Sequence, residues 1–334
     1  MRIVQLNPPF RLPADSARWI TVPPQGYGGI QWVVSALIDG LLAVGHEVAL
    51  LGAPGSPPTP GLTVTSVSDD ASALRWLAEH PFDVVHDHTN GALAPRVTLP
   101  ALSTHHLTGR PARLTNCVYV SRAQRKMAGS AAAPVIRLPV NPDRYIFNTV
   151  KEDYLLFLGR VSPHKGALEA ATFAAAAGLP LRIAGPAWEP DYLMRVLDSH
   201  PETADYIGEV GGHERLDLIA RARAMLVMSQ PVVGPFGDLW AEPGATVVSE
   251  AAVSGTPVIA TPNGCLPEII PGIGHLLDSC TSDRLTASAA DGILAGLPDA
   301  HIVRKRAIER WGHVHIAAQY TALYGKAVAG ATWA

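Results

Sequence analysis

Short apolar runs rich in β-branched residues recur along the chain and end in polar groups. Between them lie stretches whose apolar positions repeat at helical spacing. Unalternating apolar runs of this kind mark parallel strands buried on both faces. In the first half the pattern predicts strands at 2–6, 47–51, 83–86, 101–104, 117–120 and 135–138, and helices at 30–44, 71–79 and 122–128. The second half repeats it, with strands at 154–158, 181–184, 206–207, 225–228, 257–260 and 275–277. Its helices fall at 167–177, 191–198, 214–222, 246–254 and 281–295. Strand–helix alternation with short connections predicts an α/β protein of two doubly wound parallel-sheet domains. They are expected over 1–145 and 146–312, joined through a Pro/Asn-rich linker at 139–149. A last helical stretch, 314–328 within a terminal segment 313–334, lies beyond the second sheet and needs a place to dock. Two such domains facing one another make a cleft, and in doubly wound sheets ligands bind outside the carboxyl ends of the strands.

Composition narrows the partners. Hydrophobic residues make up 48% of the 334 residues, charged residues only 16%, and the mean hydropathy is +0.16. Such a chain buries large cores and lacks the signature of disorder. A formal net charge of −3 gives no reason to expect nucleic acid. No apolar run is long enough to span a membrane. The N-terminus reads as a first strand rather than a cleavable signal. Three cysteines without C-x-x-C spacing give neither a disulfide framework nor a zinc knuckle. The expectation is a cytoplasmic protein.

Several stretches carry candidate chemistry. Gln25-Gly26-Tyr27-Gly28-Gly29 precedes the helix at 30–44, and adjacent glycines at a helix start let an anion approach the backbone. The spacing is not that of the dinucleotide fingerprint, and a plain flexible loop is the simpler alternative. Arg160 and Lys165 bracket a strand end and a helix start, where two cations can grip one diphosphate; a solvated pair is the alternative. Glu242 and Glu250 stand with seven residues between them, the first in the lead-in to a helix and the second inside it. Glu250 lies among Val247, Val248, Ala251 and Ala252, so its carboxylate needs partners, and a ribose diol is one. A capping Glu242 with a salt-bridged Glu250 is the plainer reading. Asp83-Val84-Val85-His86-Asp87-His88 and Thr104-His105-His106 end successive strands. They admit a metal set, satisfied structural histidines, or a substrate-facing role for His105.

Together these residues resemble the family 4 retaining glycosyltransferases of the GT-B fold. The resemblance runs over almost the whole chain: Gly28-Gly29, Gly45-His46-Glu47-Val48, 83–88, Thr104-His105, Pro139-Val140-Asn141 with Phe147, Gly159-Arg160, Lys165-Gly166, Glu242/Glu250, Gly255-Thr256-Pro257-Val258 and Leu266-Pro267-Glu268. It looks like an antibiotic-tailoring member. The resemblance implies that the second domain binds a nucleotide-diphosphate sugar, with Glu250 on the ribose and Arg160 and Lys165 on the diphosphate. Gly28 and Gly29 would approach the diphosphate from the other domain. Glu242 and the backbone after it (Gly244, Ala245, Thr246) would contact the donor sugar, with His105 near the reacting carbon. Glu242, His105, Arg160 and Lys165 would then be the catalytic set. The resemblance further implies retention, no metal or other cofactor, a small-molecule hydroxyl acceptor, and a last helix crossing back to the first domain.

Three departures stand out. Gly244-Ala245 replaces the usual Phe-Gly, Cys265 stands where a glycine is frequent, and 231–240, with Phe236 and Trp240, is long enough to be a lid or acceptor wall. Acceptor specificity is expected in the loops 8–27 and 89–100, where Phe10, Trp19 and Tyr27 suit a bulky acceptor or a core equally. Rival functions are a nucleotide-sugar 2-epimerase, a metal-dependent hydrolase on His86, His88 and His105, and a non-catalytic nucleotide-sugar binding module.

Overall fold

The computed structural model of the chain describes residues 1–7, 9–12, 15–109, 111, 115–235, 237–281 and 286–334. They form two compact units, one of 1–141 with 311–334 and one of 142–310. The first unit runs β1 (Arg2–Leu6), β2 (Arg11–Leu12), β3 (Asp15–Trp19), α1 (Gly29–Ala43), β4 (Glu47–Gly52), β5 (Leu62–Ser66), α2 (Asp70–Glu79), β6 (Val84–Asp87), β7 (Ala101–His105), β8 (Cys117–Tyr119) and α3 (Arg122–Met127). The second runs β9 (Glu152–Leu158), α4 (Ala167–Ala176), β10 (Leu181–Ala184), α5 (Pro190–Ser199), β11 (Ala204–Gly208), α6 (Gly212–Arg221), β12 (Ala222–Val227), α7 (Thr246–Val253), β13 (Val258–Ala260), α8 (Leu266–Ile269), β14 (Gly274–Leu276), α9 (Ala287–Ala295) and α10 (Ala300–Trp311). The last helix, α11 (His313–Val328), returns to the first unit.

Each unit holds a six-stranded parallel sheet, ordered β5-β4-β1-β6-β7-β8 in the first and β11-β10-β9-β12-β13-β14 in the second. Both orders are 3-2-1-4-5-6 in units of their own strands, so each sheet reverses direction beside its first strand. The expected doubly wound architecture is therefore present twice. The expected strand at 135–138 is not: only a bridge from Val135 to Tyr119 and the Ile136 N–H to the Tyr119 carbonyl extend β8. Strand β5 was missed because it alternates, half-exposed, at the sheet edge instead of running apolar throughout. Helix α10 was missed too, although Val303, Ala307 and Trp311 recur at four-residue spacing and are all buried.

Helix α11 completes the first core. Its Ile316, Ala317, Tyr320, Leu323, Tyr324 and Ala327 pack with Val34, Leu37, Ile38 and Leu41 of α1 over Ile3, Val84 and Leu102 of the sheet. Close approach is possible because Gly40 has no side chain: a Cβ there would lie 2.3 Å from the His313 carbonyl oxygen. Trp333 then ties the end of the chain to β8, its indole N–H donating to the Cys117 carbonyl at 2.9 Å.

The same helix is fastened by a chain of buried polar groups. Gln5 Oε1 can only accept, so His88 Nε2 donates to it at 2.8 Å, and His88 Nδ1 accepts from His106 Nε2 at 3.0 Å. Gln5 Nε2 donates to the Tyr324 hydroxyl at 3.3 Å, and that hydroxyl donates to His86 Nδ1 at 2.8 Å. His86 Nε2 is left to donate to Thr104 Oγ1 at 2.7 Å, and Thr104 shares a 2.8 Å bond with the Tyr320 hydroxyl. The three imidazoles of this network are neutral, because burial holds His86, His88 and His106 well below the ordinary 6.5.

A folded-state value below the unfolded one gives stability that is whole above pH 6.5 and is lost as the pH falls, since the unfolded chain takes up protons the fold refuses. The histidine contribution to the melting temperature should therefore be flat from neutrality to about pH 8 and drop between pH 6.5 and about 5, above the carboxylate range. Tyr324→Phe, which strands His86 Nδ1 and the Gln5 amide, should cost about 1–3 kcal/mol. Both are read by thermal and denaturant melts.

Candidate functional site

The site residues of the second unit gather after β9, the first strand of its sheet. The chain leaves β9 at Gly159, passes Arg160, and turns through a 3-10 segment at Pro163–Lys165 into α4. Gly166, at φ +76°, makes that turn: a Cβ there would sit 1.8 Å from the Met228 carbonyl oxygen at the end of β12. This contact fixes Lys165 beside the neighbouring strand. Arg160 lays its guanidinium over the Trp188 ring, 4.1 Å from the centroid. Between the two cations, burial, together with Lys165 and Arg160, lowers His164 to about 3. It stays neutral at any working pH.

Glu242 is brought to Lys165. The ammonium donates to both carboxylate oxygens, at 3.0 and 2.8 Å, and lies 4.5 Å over the Trp240 ring. The Trp240 indole N–H donates to Ser229 Oγ at 3.1 Å and to Glu242 Oε2 at 3.3 Å. Asn263 Nδ2 holds Ser229 Oγ at 3.1 Å from the far side. The backbone of Glu242 is equally constrained. Its carbonyl accepts from the Cys265 N–H at 2.8 Å, and Gly264 lies so close that a Cβ would come 2.3 Å from the Glu242 nitrogen. Cys265 itself is wholly buried.

Glu242 precedes α7 and does not belong to it. Gly244 and Ala245 lead in, and Ala245 caps the helix in the left-handed region, at φ 48°, with no side-chain cap. The N–H groups that open α7 at Thr246 thus have no capping side chain. Glu250, inside α7, is 1% exposed and is a member of a buried ion pair. Arg215 Nη2 donates to its Oε2 at 2.6 Å and the Tyr145 hydroxyl to its Oε1 at 3.2 Å. Burial and the negative carboxylate push the Tyr145 phenol well above its ordinary value. Each carboxylate oxygen retains one further acceptor direction.

In the first unit, Gly28 caps α1 at φ 148°, again with no capping side chain, and Gly29 is the first helical residue. His105 ends β7. Its Nε2 donates to the Gly109 carbonyl at 3.1 Å, which leaves Nδ1 as a bare lone pair, and Nδ1 has no hydrogen-bond partner among the described residues. Burial lowers His105 to about 4, so the ring is neutral. His86 and His88 spend all four ring nitrogens within the buried chain of the first unit. Asp87 is equally engaged, accepting from the N–H groups of Thr89, Leu93 and Ala94. Among the described residues no cluster of three or more His, Cys, Asp or Glu could hold a metal ion. Of the three ligands expected for a hydrolase, His86 and His88 are thus spent within the first unit.

A family model described as glycosyl transferases group 1 matches residues 143–307. AviGT4, a glycosyltransferase involved in avilamycin A biosynthesis, is 53% identical, with 100% of this chain and 99% of that one covered at a TM-score of 0.95. This chain belongs to the group 1 glycosyltransferases. Sucrose-phosphate synthase from Thermosynechococcus elongatus shares the fold at 17% identity, covering 99% and 100% of the two chains, TM-score 0.75. So does Anabaena HepE, solved with UDP and glucose, at 16% identity, covering 98% and 100%, TM-score 0.67. No curated protein matches. No helix among the described residues is long and apolar enough to cross a membrane.

Two residues that the motifs did not single out touch the paired glutamates, Arg215 at Glu250 and Trp240 at Glu242. Arg215 is buried one turn before Leu218 and Ile219 on the inner face of α6, and an arginine on an apolar stripe was the available signal. Trp240 was noted only as part of a long loop. That loop is a hairpin, closed by Gly234 N–H to the Asp238 carbonyl and Trp240 N–H to the Val232 carbonyl, each at 2.8 Å. It exposes Val233 and Leu239, while Phe236 lies outside the described residues. Of the aromatic rim, Phe10 is exposed and Trp19 carries Arg11 on its ring at 4.0 Å.

Ala245 holds a conformation that costs a side-chain-bearing residue about 1–2 kcal/mol. Ala245→Gly relieves it and should raise the melting temperature by about 1–3 °C after the entropic cost of glycine is subtracted. A melt of the folded variant reads this directly.

Proposed function

We propose that this glycosyltransferase moves a sugar from a nucleotide-diphosphate donor to a hydroxyl of a small natural-product acceptor, with retention and without a metal. The observation that carries the reading is the placement of Arg160 and Lys165 directly after the first strand of the second sheet, in the same unit as the uncapped start of α7. In a 3-2-1-4-5-6 sheet that is where a nucleotide's phosphates are held. AviGT4's role in avilamycin A biosynthesis supports an antibiotic acceptor, and HepE, solved with UDP, makes UDP the donor nucleotide to try first.

The roles follow from the charges. Loss of the sugar leaves a nucleotide diphosphate, which departs as a stable anion, so cations can take the place of the acid a glycosidase needs. Arg160 and Lys165 supply them, with the Thr246 end of α7. Glu250 accepts from the ribose hydroxyls; Arg215 and Tyr145, bonded to its two oxygens, hold the carboxylate in place. Glu242, with the backbone through Gly244 and Ala245, accepts from the donor sugar. In the first unit, the bare Nδ1 of His105 accepts from a substrate hydroxyl, and the Gly28-Gly29 start of α1 takes a phosphate oxygen. As the bond to the diphosphate breaks, the sugar carbon becomes oxocarbenium-like, and the acceptor hydroxyl attacks from the face the leaving group vacates.

Calorimetric titration with UDP, GDP, ADP and dTDP, each with and without EDTA, tests the donor site. One of them should bind, indifferent to EDTA, and Glu250→Ala should weaken it at least about tenfold, the worth of a lost charge-assisted hydrogen bond. Unchanged affinity in that variant removes the ribose assignment. Arg160→Ala should lower kcat by about 100-fold with little change in KM, since the charge it meets develops in the transition state. Turnover that needs no acceptor would instead indicate the 2-epimerase.

A further inference from the structure

The Lys165–Glu242 pair raises a problem that the donor reading has to resolve. Lys165 spends its ammonium on both oxygens of Glu242, yet a diphosphate calls on the same ammonium. The two partners are unequal. Glu242 is 5% exposed and anchored, through Cys265 and Gly264 at its backbone and Trp240 at its carboxylate. The Lys165 side chain is 28% exposed on a flexible four-carbon stem. Any exchange therefore moves the lysine and leaves the glutamate in place. Once Lys165 leaves, Glu242 is a buried carboxylate with one indole N–H at 3.3 Å, and a buried charge that loses its partner is strongly penalised.

A nucleotide diphosphate alone creates that penalty and does nothing to relieve it. A nucleotide-diphosphate sugar relieves it, because the sugar hydroxyls are donors that can replace the ammonium at Glu242. We propose that the Lys165–Glu242 pair is an exchange switch: the intact donor opens it by satisfying both partners, and closure after transfer weakens the hold on the spent nucleotide diphosphate. The inference rests on the reading of Lys165 as a diphosphate ligand. It assigns to Glu242 a second task, competition with the product for the lysine.

The test has an unusual sign, because removing a residue from the site should tighten a ligand. UDP and inorganic pyrophosphate, the latter free of base and ribose, are titrated calorimetrically into wild type, Glu242→Gln, Lys165→Met and the double variant, with a melt of each to confirm folding. Glu242→Gln should bind both probes about tenfold more tightly than wild type, the order of one charge-assisted hydrogen bond returned to the phosphate. The gain should vanish in the Lys165→Met background, where no ammonium is left to compete for. Glu242→Asn gives the same readout should the glutamine variant not fold. Unchanged or weaker binding by Glu242→Gln, with Lys165→Met still impaired, overturns the switch and leaves the diphosphate grip standing. Wild-type affinity in Lys165→Met, or no binding of either probe to wild type and variants alike, removes the diphosphate ligand itself and the switch with it.

Discussion

A carboxylate taken out of water must be matched by a charge, and Glu250 sets that requirement at the centre of the second unit. With 1% exposure it is held by Arg215 of α6 and by Tyr145, so three separated stretches of chain are fastened at one point. Breaking such a pair by removing one partner costs about 3–5 kcal/mol, which makes the relative placement of α6 and α7 stiff. Stiffness there fixes the start of α7, and the left-handed Ala245 that precedes it, in turn, places Glu242. The chemistry of the site is thus built backwards from a buried ion pair that exposes almost none of its surface.

The two units solve the burial of polar groups in opposite ways. The first relies mainly on neutral groups, a directional run of histidine, glutamine, tyrosine and threonine, and holds its one described buried carboxylate, Asp87, with backbone N–H groups. The second uses charges: Arg215 on Glu250 and Lys165 on Glu242. The division suits the donor proposed for this enzyme, whose negative charge sits on its diphosphate. Cations belong where the phosphates of that donor would go.

Much of this was legible because parallel strands buried on both faces leave a blunt signature, as at β1, β4, β9 and β12. Strand β5 failed that template, since an edge strand needs apolar residues on one side only. The candidate cations and carboxylates were legible as residues, but their pairing was not. The 3-10 turn that carries Lys165 toward Glu242 depends on Gly166 fitting under the Met228 carbonyl, a contact between positions far apart in sequence. Arg215 and Tyr145 lie outside the E-x7-E motif they support. The histidines of β6 looked like ligands because sequence spacing records where side chains sit and not which neighbours have claimed their nitrogens.

The first unit is made from two stretches of chain, 1–141 and 311–334, that flank the second, and this has a bearing on synthesis. Until 311–334 are made, β1 through α3 carry a sheet face covered by α1 but lacking Ile316 to Ala327. The second unit, by contrast, is one uninterrupted stretch, 142–310, and has all its residues at hand earlier. The second unit thus has its whole core in one stretch of chain, whereas the core of the first is complete only once residues on both sides of the second have been made.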